Sequence, residues 1–158
     1  MPKAIVIYYS RSGNTKKMAQ LIAEGISNEG VEAVLKDVKD VSLDELLEYE
    51  AIVIGSPTYY GHMAAPIKEL FDELVSSHGA LDGKVGAAFA SAANIGGGNE
   101  TTIMGIIEAM LISGMIVHGD PQGDHYGPVS IGKPDQRVES QCRRRGQRIA
   151  ELTKKIKN

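Results

Sequence analysis

Apolar positions in this chain alternate between two periods. Ala4 to Tyr9 is an unbroken apolar run, which predicts a buried strand. From Thr15 to Asn28 the pattern becomes helical: Met18, Leu21, Ile22 and Ile26 share one face, and Gly30 sits just past the end. Glu32–Asp37 alternates as a strand. Ser42-Leu-Asp-Glu45 reads as a capping box opening a short helix to about Glu48. Ala51–Gly55 is a fully apolar strand. Pro66 starts a helix that buries Ile67, Leu70, Phe71 and Leu74. Lys84–Ala90 is a fourth strand, and its glycines and alanines imply that something packs closely on it. Thr101–Ser113 is a helix with Ile103, Ile106, Ile107, Met110 and Leu111 inward. Met115–Val117 begins the fifth strand, and His118 to Pro134 reads as a long irregular segment. Asp135–Lys157 closes the chain as a helix on Val138, Cys142, Ile149, Leu152 and Ile156.

Five strands separated by helices predict an α/β fold, a doubly wound five-stranded parallel sheet with helices on both faces. No linker, repeat or low-complexity tract divides residues 1–158, so one domain is expected. Ligands of such sheets bind beyond the carboxyl ends of the strands, near the switch in strand order. The segments after the first, third and fourth strands are therefore the candidate site.

Composition narrows the function classes. A hydrophobic content of 42% and a charged content of 23% describe an ordinary globular chain. A net charge of −3 offers no electrostatic case for nucleic acid or an anionic membrane. The single cysteine, Cys142, excludes an intrachain disulfide and fits a reducing, cytoplasmic setting. The first residues read as a strand rather than a signal peptide, and no apolar run approaches the roughly 20 residues of a membrane span.

After the first strand comes Ser10-Arg11-Ser12-Gly13-Asn14-Thr15. A strand, a hydroxyl-rich turn and a helix start suit a phosphate. Ser10, Ser12 and Thr15 can donate to its oxygens, and unpaired helix N–H groups add the positive end of the dipole. The turn lacks the Gly-Lys-Ser/Thr ending of a Walker A loop and the Gly-x-Gly-x-x-Gly of a dinucleotide site. The other reading is an ordinary strand–helix turn capped by Ser or Asn.

After the third strand, Pro57-Thr58-Tyr59-Tyr60-Gly61 sets two aromatics side by side. A flat ring would give them a stacking partner, and Thr58 could bond its polar edge. The alternative is a surface turn whose tyrosines cover a neighbouring helix. After the fourth strand, Ser91-Ala92-Ala93-Asn94-Ile95-Gly96-Gly97-Gly98 ends in three glycines. They let the main chain approach a ligand closely, or they form a hinge.

Together these stretches resemble the FMN site of flavodoxin-like proteins, and in particular the WrbA-type NAD(P)H:quinone oxidoreductases. The resemblance rests on Tyr8 to Thr15, Gly55 to Ala64, Gly96 to Ile103 and His125 to Val129. It implies a flavodoxin-like fold with FMN bound noncovalently. The phosphate would lie on Ser10 to Thr15, the ring edge on Pro57 to Gly61, and the glycine-rich flavin loop on Ser91 to Gly98. It also implies NADH or NADPH as electron donor, a quinone or other small molecule as acceptor, and a homodimer or homotetramer. The alternative is a flavodoxin that carries electrons between redox proteins. Carriers of that kind tend to be strongly acidic, and −3 counts modestly against it.

The chain departs from the WrbA pattern in lacking Trp, in having Ser113 where that family has His before Gly-Met, and in lacking two stretches that help build its tetramer. Flavin chemistry needs few protein acids, so no catalytic side chain is assigned. Among His118, Asp120, Asp124, His125 and Tyr126, His125 is best placed to steer a quinone oxygen or a nicotinamide. The spacing of that set matches no metal-ligand motif, and no metal is expected. Arg143, Arg144, Arg145 and Arg148 read as a solvated face pairing with Glu139 or Glu151.

Overall fold

Seven strands and five helices follow one another along the chain in the computed structural model, which describes residues 1–157. They are β1 (Lys3–Tyr8), α1 (Asn14–Ser27), β2 (Glu32–Asp37), α2 (Leu43–Leu46), β3 (Ala51–Tyr59), β4 (His62–Met63), α3 (Ala65–Glu73), β5 (Val85–Ala92), α4 (Asn99–Ile112), β6 (Ile116–Val117), β7 (Val129–Ile131) and α5 (Gln136–Lys157). The sheet order is β2-β1-β3-β5-β6, with every pair on this path parallel. That is the expected doubly wound, flavodoxin-like order, with the chain switching direction at β1 and β3.

Strand alternation divides the core in two. On one face Ala4, Val6, Tyr8, Val53, Ala87 and Phe89 meet Met18, Leu21, Ile22 and Ile26 of α1 and Val138, Cys142 and Ile149 of α5. On the other face Ile5, Ile7, Ile52 and Ile54 meet Leu46, Ile67, Phe71, Ile103, Ile106 and Met110 of α2, α3 and α4. Each fully buried Ile or Leu contributes about 1.5–3 kcal/mol of transfer free energy. Both faces are covered, so the central strands read as continuous apolar runs.

Several expectations shift. The capping box at Ser42 forms: Ser42 N–H donates to Glu45 Oε2 at 3.1 Å, and Glu45 N–H donates to Ser42 Oγ at 3.3 Å. The fifth strand is split. Its first piece, β6, pairs with Val85 and Gly86, and its second piece, β7, pairs with Ala90 to Ala92. The irregular segment therefore ends at Pro128 rather than Pro134. Leu111 is not inward but 57% exposed, because the face of α4 that meets the sheet is set by Ile103, Ile106 and Met110. Ile156 is likewise exposed, since the end of α5 runs past the sheet. The small residues of β5 have close neighbours: a side chain on Gly86 would meet Met110 Sδ at 2.9 Å.

Among the described residues, no helix is long and apolar enough to cross a membrane.

Candidate functional site

The carboxyl ends of the neighbouring parallel strands β1, β3 and β5 bring the three expected segments together at one end of the sheet, the candidate crevice. The first turns on Gly13, whose φ of +94° is a left-handed conformation open to glycine at little cost. Nothing lies within 4 Å of where its Cβ would project, so the constraint is conformational rather than steric. Gly13 N–H donates to Ser10 Oγ at 3.0 Å, which closes the turn. Helix α1 then begins with no side-chain cap. Its first amides thus remain available to an anion. The alternative of a turn capped by Ser or Asn fails here: Ser10 bonds the Gly13 amide and caps no helical residue, and Asn14 is the first residue of the helix.

Thr15 is buried, and its Oγ1 lies 2.9 Å from Ser91 Oγ. This hydroxyl pair joins the turn after β1 to the end of β5. Arg11 makes a second junction. Its Nε donates to the Tyr9 hydroxyl at 3.1 Å, and its guanidinium carbon stands 4.9 Å from the centre of the Tyr59 ring. Donation to Tyr9, and then the Tyr59 phenol, hold the Arg11 pKa above its ordinary value.

Pro57, Thr58 and Tyr59 lie in β3 rather than in a loop, because that strand continues four residues past Gly55 and folds back as β4. The turn itself is Tyr60-Gly61. Tyr60 takes a φ of +52° and is fully exposed, with a relative accessibility of 104%. A non-glycine residue in that region carries local strain. The tyrosines therefore do not serve as a cover for a neighbouring helix, at least at Tyr60.

Ser91 and Ala92 also belong to a strand, β5, so the glycine-rich loop proper is Ala93 to Gly98. Ala93, Asn94, Ile95 and Gly96 are exposed, and Gly97 N–H donates to the Asn94 carbonyl at 3.1 Å. Gly98 has a φ of +110°, and a Cβ there would stand 2.7 Å from Gly61 Cα and 2.9 Å from Thr101 Oγ1. Here glycine is required by conformation and by space together. Thr101 Oγ1 donates to the Gly61 carbonyl at 2.6 Å, and Thr102 Oγ1 donates to Thr58 Oγ1 at 3.1 Å. The two loops are thus held as a unit.

Tyr9, Asn99, Thr101 and Thr102 fall within the motifs that carry the resemblance, but sequence reasoning assigned them no role in the site. Asn99 opens α4 directly after Gly98 and is 4% exposed. Its Nδ2 donates to the Ser130 carbonyl at 3.3 Å, and its Oδ1 is buried without a hydrogen-bond partner among the described residues. A polar residue opening a helix just after a glycine triplet was the available signal. Helix α4, like α1, starts on a left-handed glycine with no side-chain cap. Neutral hydroxyls, free helix amides, a buried orphan acceptor and an exposed aromatic suit an FMN: an anion at one end and a flat, polar-edged ring at the other.

Of the four arginines expected on a solvated face, Arg143 is exposed there, but Arg144, Arg145 and Arg148 turn inward. Arg145 is 3% exposed, and its Nη1 donates to the His118 carbonyl at 2.9 Å. Arg144 grips Asp120 through Nε at 2.6 Å and Nη2 at 2.8 Å, and Arg148 Nη2 donates to the Gly119 carbonyl at 2.8 Å. Arg144, with backbone N–H groups after it, drives the pKa of the buried Asp120 carboxyl well below the usual carboxylate range. Burial first, then Arg148 and Arg145, lower that of His118. The arginines pull the segment between β6 and β7 onto α5. Only Arg143 meets the expected Glu139, at 3.6 Å, and it also bonds Glu24.

His125 and Tyr126 of that segment are exposed beside a cavity of about 250 Å³ lined also by Glu100, Ile103 and Val129. His125 Nδ1 lies 2.7 Å from the Asp120 carbonyl, which fixes that nitrogen as the protonated one when the ring is neutral. The described residues contain no group of three or more His, Cys, Asp or Glu arranged for a metal. Burial lifts the Cys142 thiol to about 12, so it packs as an inert apolar side chain.

Comparison with known proteins bears on the chain as a whole. A sequence profile described as flavodoxin matches residues 6–111. A protein of Aquifex aeolicus named flavodoxin is 41% identical over 160 residues, covering 96% of this chain and 86% of the relative. A protein of Sinorhizobium fredii named NAD(P)H dehydrogenase (quinone) is 37% identical over 143 residues, covering 77% of this chain and 72% of the relative. The solved structure of a flavodoxin from the domain Archaea superposes with a TM-score of 0.80 at 42% identity, covering 96% of this chain and 99% of that one.

Proposed function

This chain belongs to the flavodoxin family, and from that premise we propose that it binds FMN noncovalently in the three-segment crevice and carries electrons between redox partners. The observation that carries the reading is the meeting of two unlike surfaces. At one end, α1 opens uncapped beside the hydroxyls of Ser10, Ser12 and Thr15. At the other, Tyr60 stands in solvent beside Tyr59. The first suits a phosphate and the second a conjugated ring.

When bound, FMN supplies the electron-accepting chemistry. The protein's part is to hold and orient it. Ser10 to Thr15 would bind the phosphate through hydroxyls and amides. Pro57 to Gly61 would line the ring, with Tyr59 and Tyr60 as stacking surfaces. Ser91 to Gly98 would offer main-chain groups to the ring's polar edge, and Asn99 Oδ1 would accept from a donor there or from an ordered water.

A carrier fits best because a relative named flavodoxin aligns with this chain almost end to end. The second reading is an FMN-dependent NAD(P)H:quinone oxidoreductase, with NADH or NADPH as donor and a quinone as acceptor. It is favoured by the relative of that name and by the glycine-rich motif running into α4. In that case His125, whose Nδ1–H is held by the Asp120 carbonyl, would steer the acceptor's oxygen by donating Nε2–H from its protonated ring. An anaerobic titration of the FMN-loaded protein with NADPH and then NADH separates the two. A carrier leaves the flavin absorbance unchanged over minutes and bleaches only when a reduced partner protein is added. Rapid bleaching by either nucleotide, reversed by a benzoquinone, would instead establish the oxidoreductase.

A further inference from the structure

Arg11 is the only charged residue in the three segments that form the crevice, Ser10–Thr15, Pro57–Gly61 and Ser91–Gly98. Its backbone lies in the hydroxyl turn, yet its guanidinium is seated against Tyr59 on the adjoining segment. Two fixed groups hold it there: the Tyr9 hydroxyl at 3.1 Å and the Tyr59 ring face at 4.9 Å. A planar cation hydrogen-bonded at its edge and stacked on a phenol has lost much of the freedom of an exposed arginine. The nearest acid in sequence is Glu24, toward the far end of α1. The phosphate-binding turn itself has neutral donors enough to hold an anion without this side chain.

We propose that Arg11 sets the redox poise of the bound flavin: a cation anchored by Tyr9 and Tyr59 beside the crevice, which favours the reduced, more electron-rich ring over the oxidised one. This rests on the FMN reading above. The physical warrant is that charge beside a flavin tunes its electronics, and a cation held in one place acts over several ångströms even where solvent screens it. Tyr9 is then a positioning residue, acting through Arg11.

The experiment is an equilibrium potential measurement, against a redox dye, on FMN-loaded wild type, Arg11→Ala, Arg11→Lys and Tyr9→Phe, with the dissociation constant of oxidised FMN measured for each. Arg11→Ala is expected to weaken reduced FMN about tenfold more than oxidised FMN, which lowers the two-electron potential by about 30 mV. Arg11→Lys keeps the charge and recovers most of the shift. Tyr9→Phe gives a smaller shift of the same sign. The shifts shrink at high salt, as screening requires. An Arg11→Ala potential equal to wild type, with FMN bound as tightly, overturns the role while leaving the FMN reading intact. If Arg11→Ala sheds FMN, Arg11→Gln is read at saturating FMN, and equality with wild type overturns the role in the same way. Wild-type protein that takes up no FMN overturns the functional reading itself, and this role with it.

Discussion

Single residues determine whether the crevice can hold an anion. Gly13 keeps a φ of +94° that a β-branched residue resists, and Thr15 offers a hydroxyl already oriented by Ser91. Gly13→Val and Thr15→Val are each expected to weaken FMN by roughly 10- to 100-fold, the scale of one lost or misaligned polar contact of about 1.5–3 kcal/mol. Fluorescence quenching of FMN checks this, and riboflavin, which lacks the phosphate, should show a much smaller difference between wild type and variant.

At the far side of the sheet, His118 and Asp120 govern acid stability. The folded-state pKa of His118 is lowered, so its contribution is present above its unfolded value, about 6.5, and is lost as pH falls below it. That of Asp120 is lowered as well, so its contribution persists until pH drops below the unfolded carboxylate value of about 3.9. Urea midpoints should therefore decline in two separate acid windows. His118→Gln should abolish the first window and leave the second. The basic run at Arg143–Arg148 reads in sequence as a solvated face, because its partner Asp120 and the carbonyls of His118 and Gly119 lie more than twenty residues away. Pairing across that separation cannot be recovered from local periodicity.

Among the elements, α1 and α5 pack backbone against backbone. A Cβ on Gly146 would fall 2.2 Å from the Ile22 carbonyl oxygen, and one on Gly25 would fall 2.3 Å from the Arg143 carbonyl oxygen. Each obstacle is backbone, so no rotamer change relieves it. Gly146→Val should cost about 3 kcal/mol, at the upper end of overpacking penalties. A lower urea midpoint at unchanged slope would report it. A cost under half a kilocalorie would mean that the helices can separate freely.

Most elements were legible at this scale. The apolar runs of β1, β3 and β5 and the amphipathic faces of α1 and α3 follow directly from residue period. The split fifth strand was not, because Val129–Ile131 is only three residues long and joins the sheet through its neighbour Ala90–Ala92. Leu111 misled for a related reason. Helix α4 is apolar around much of its circumference, with Met104, Leu111 and Ile112 outward, so period alone could not choose the buried side.

For the whole molecule, the strand order β2-β1-β3-β5-β6 brings residues 10–15, 57–61 and 91–98 to one edge although they lie far apart in sequence. That these segments would meet was legible because α/β topology specifies which strand ends lie side by side. What the sequence could not supply was how they interlock: Thr15 with Ser91, Arg11 with Tyr59, and Thr101 with Gly61. Because these links join all three segments, a ligand that spans them should stabilise the entire fold. At a hundredfold excess over its dissociation constant, FMN should add about 2.7 kcal/mol. For a domain of this size that corresponds to a rise in melting temperature of roughly 5–10 °C.

The most direct measurement is a titration of ligand-free protein with FMN and, separately, with riboflavin, followed by flavin fluorescence. Binding through both the uncapped start of α1 and the tyrosine end of the crevice requires saturable, equimolar quenching by FMN and binding of riboflavin weaker by at least tenfold. Equal affinity for the two flavins would contradict the assignment of Ser10–Thr15 as the phosphate site, and no saturable binding of FMN would contradict the flavin-carrying function itself.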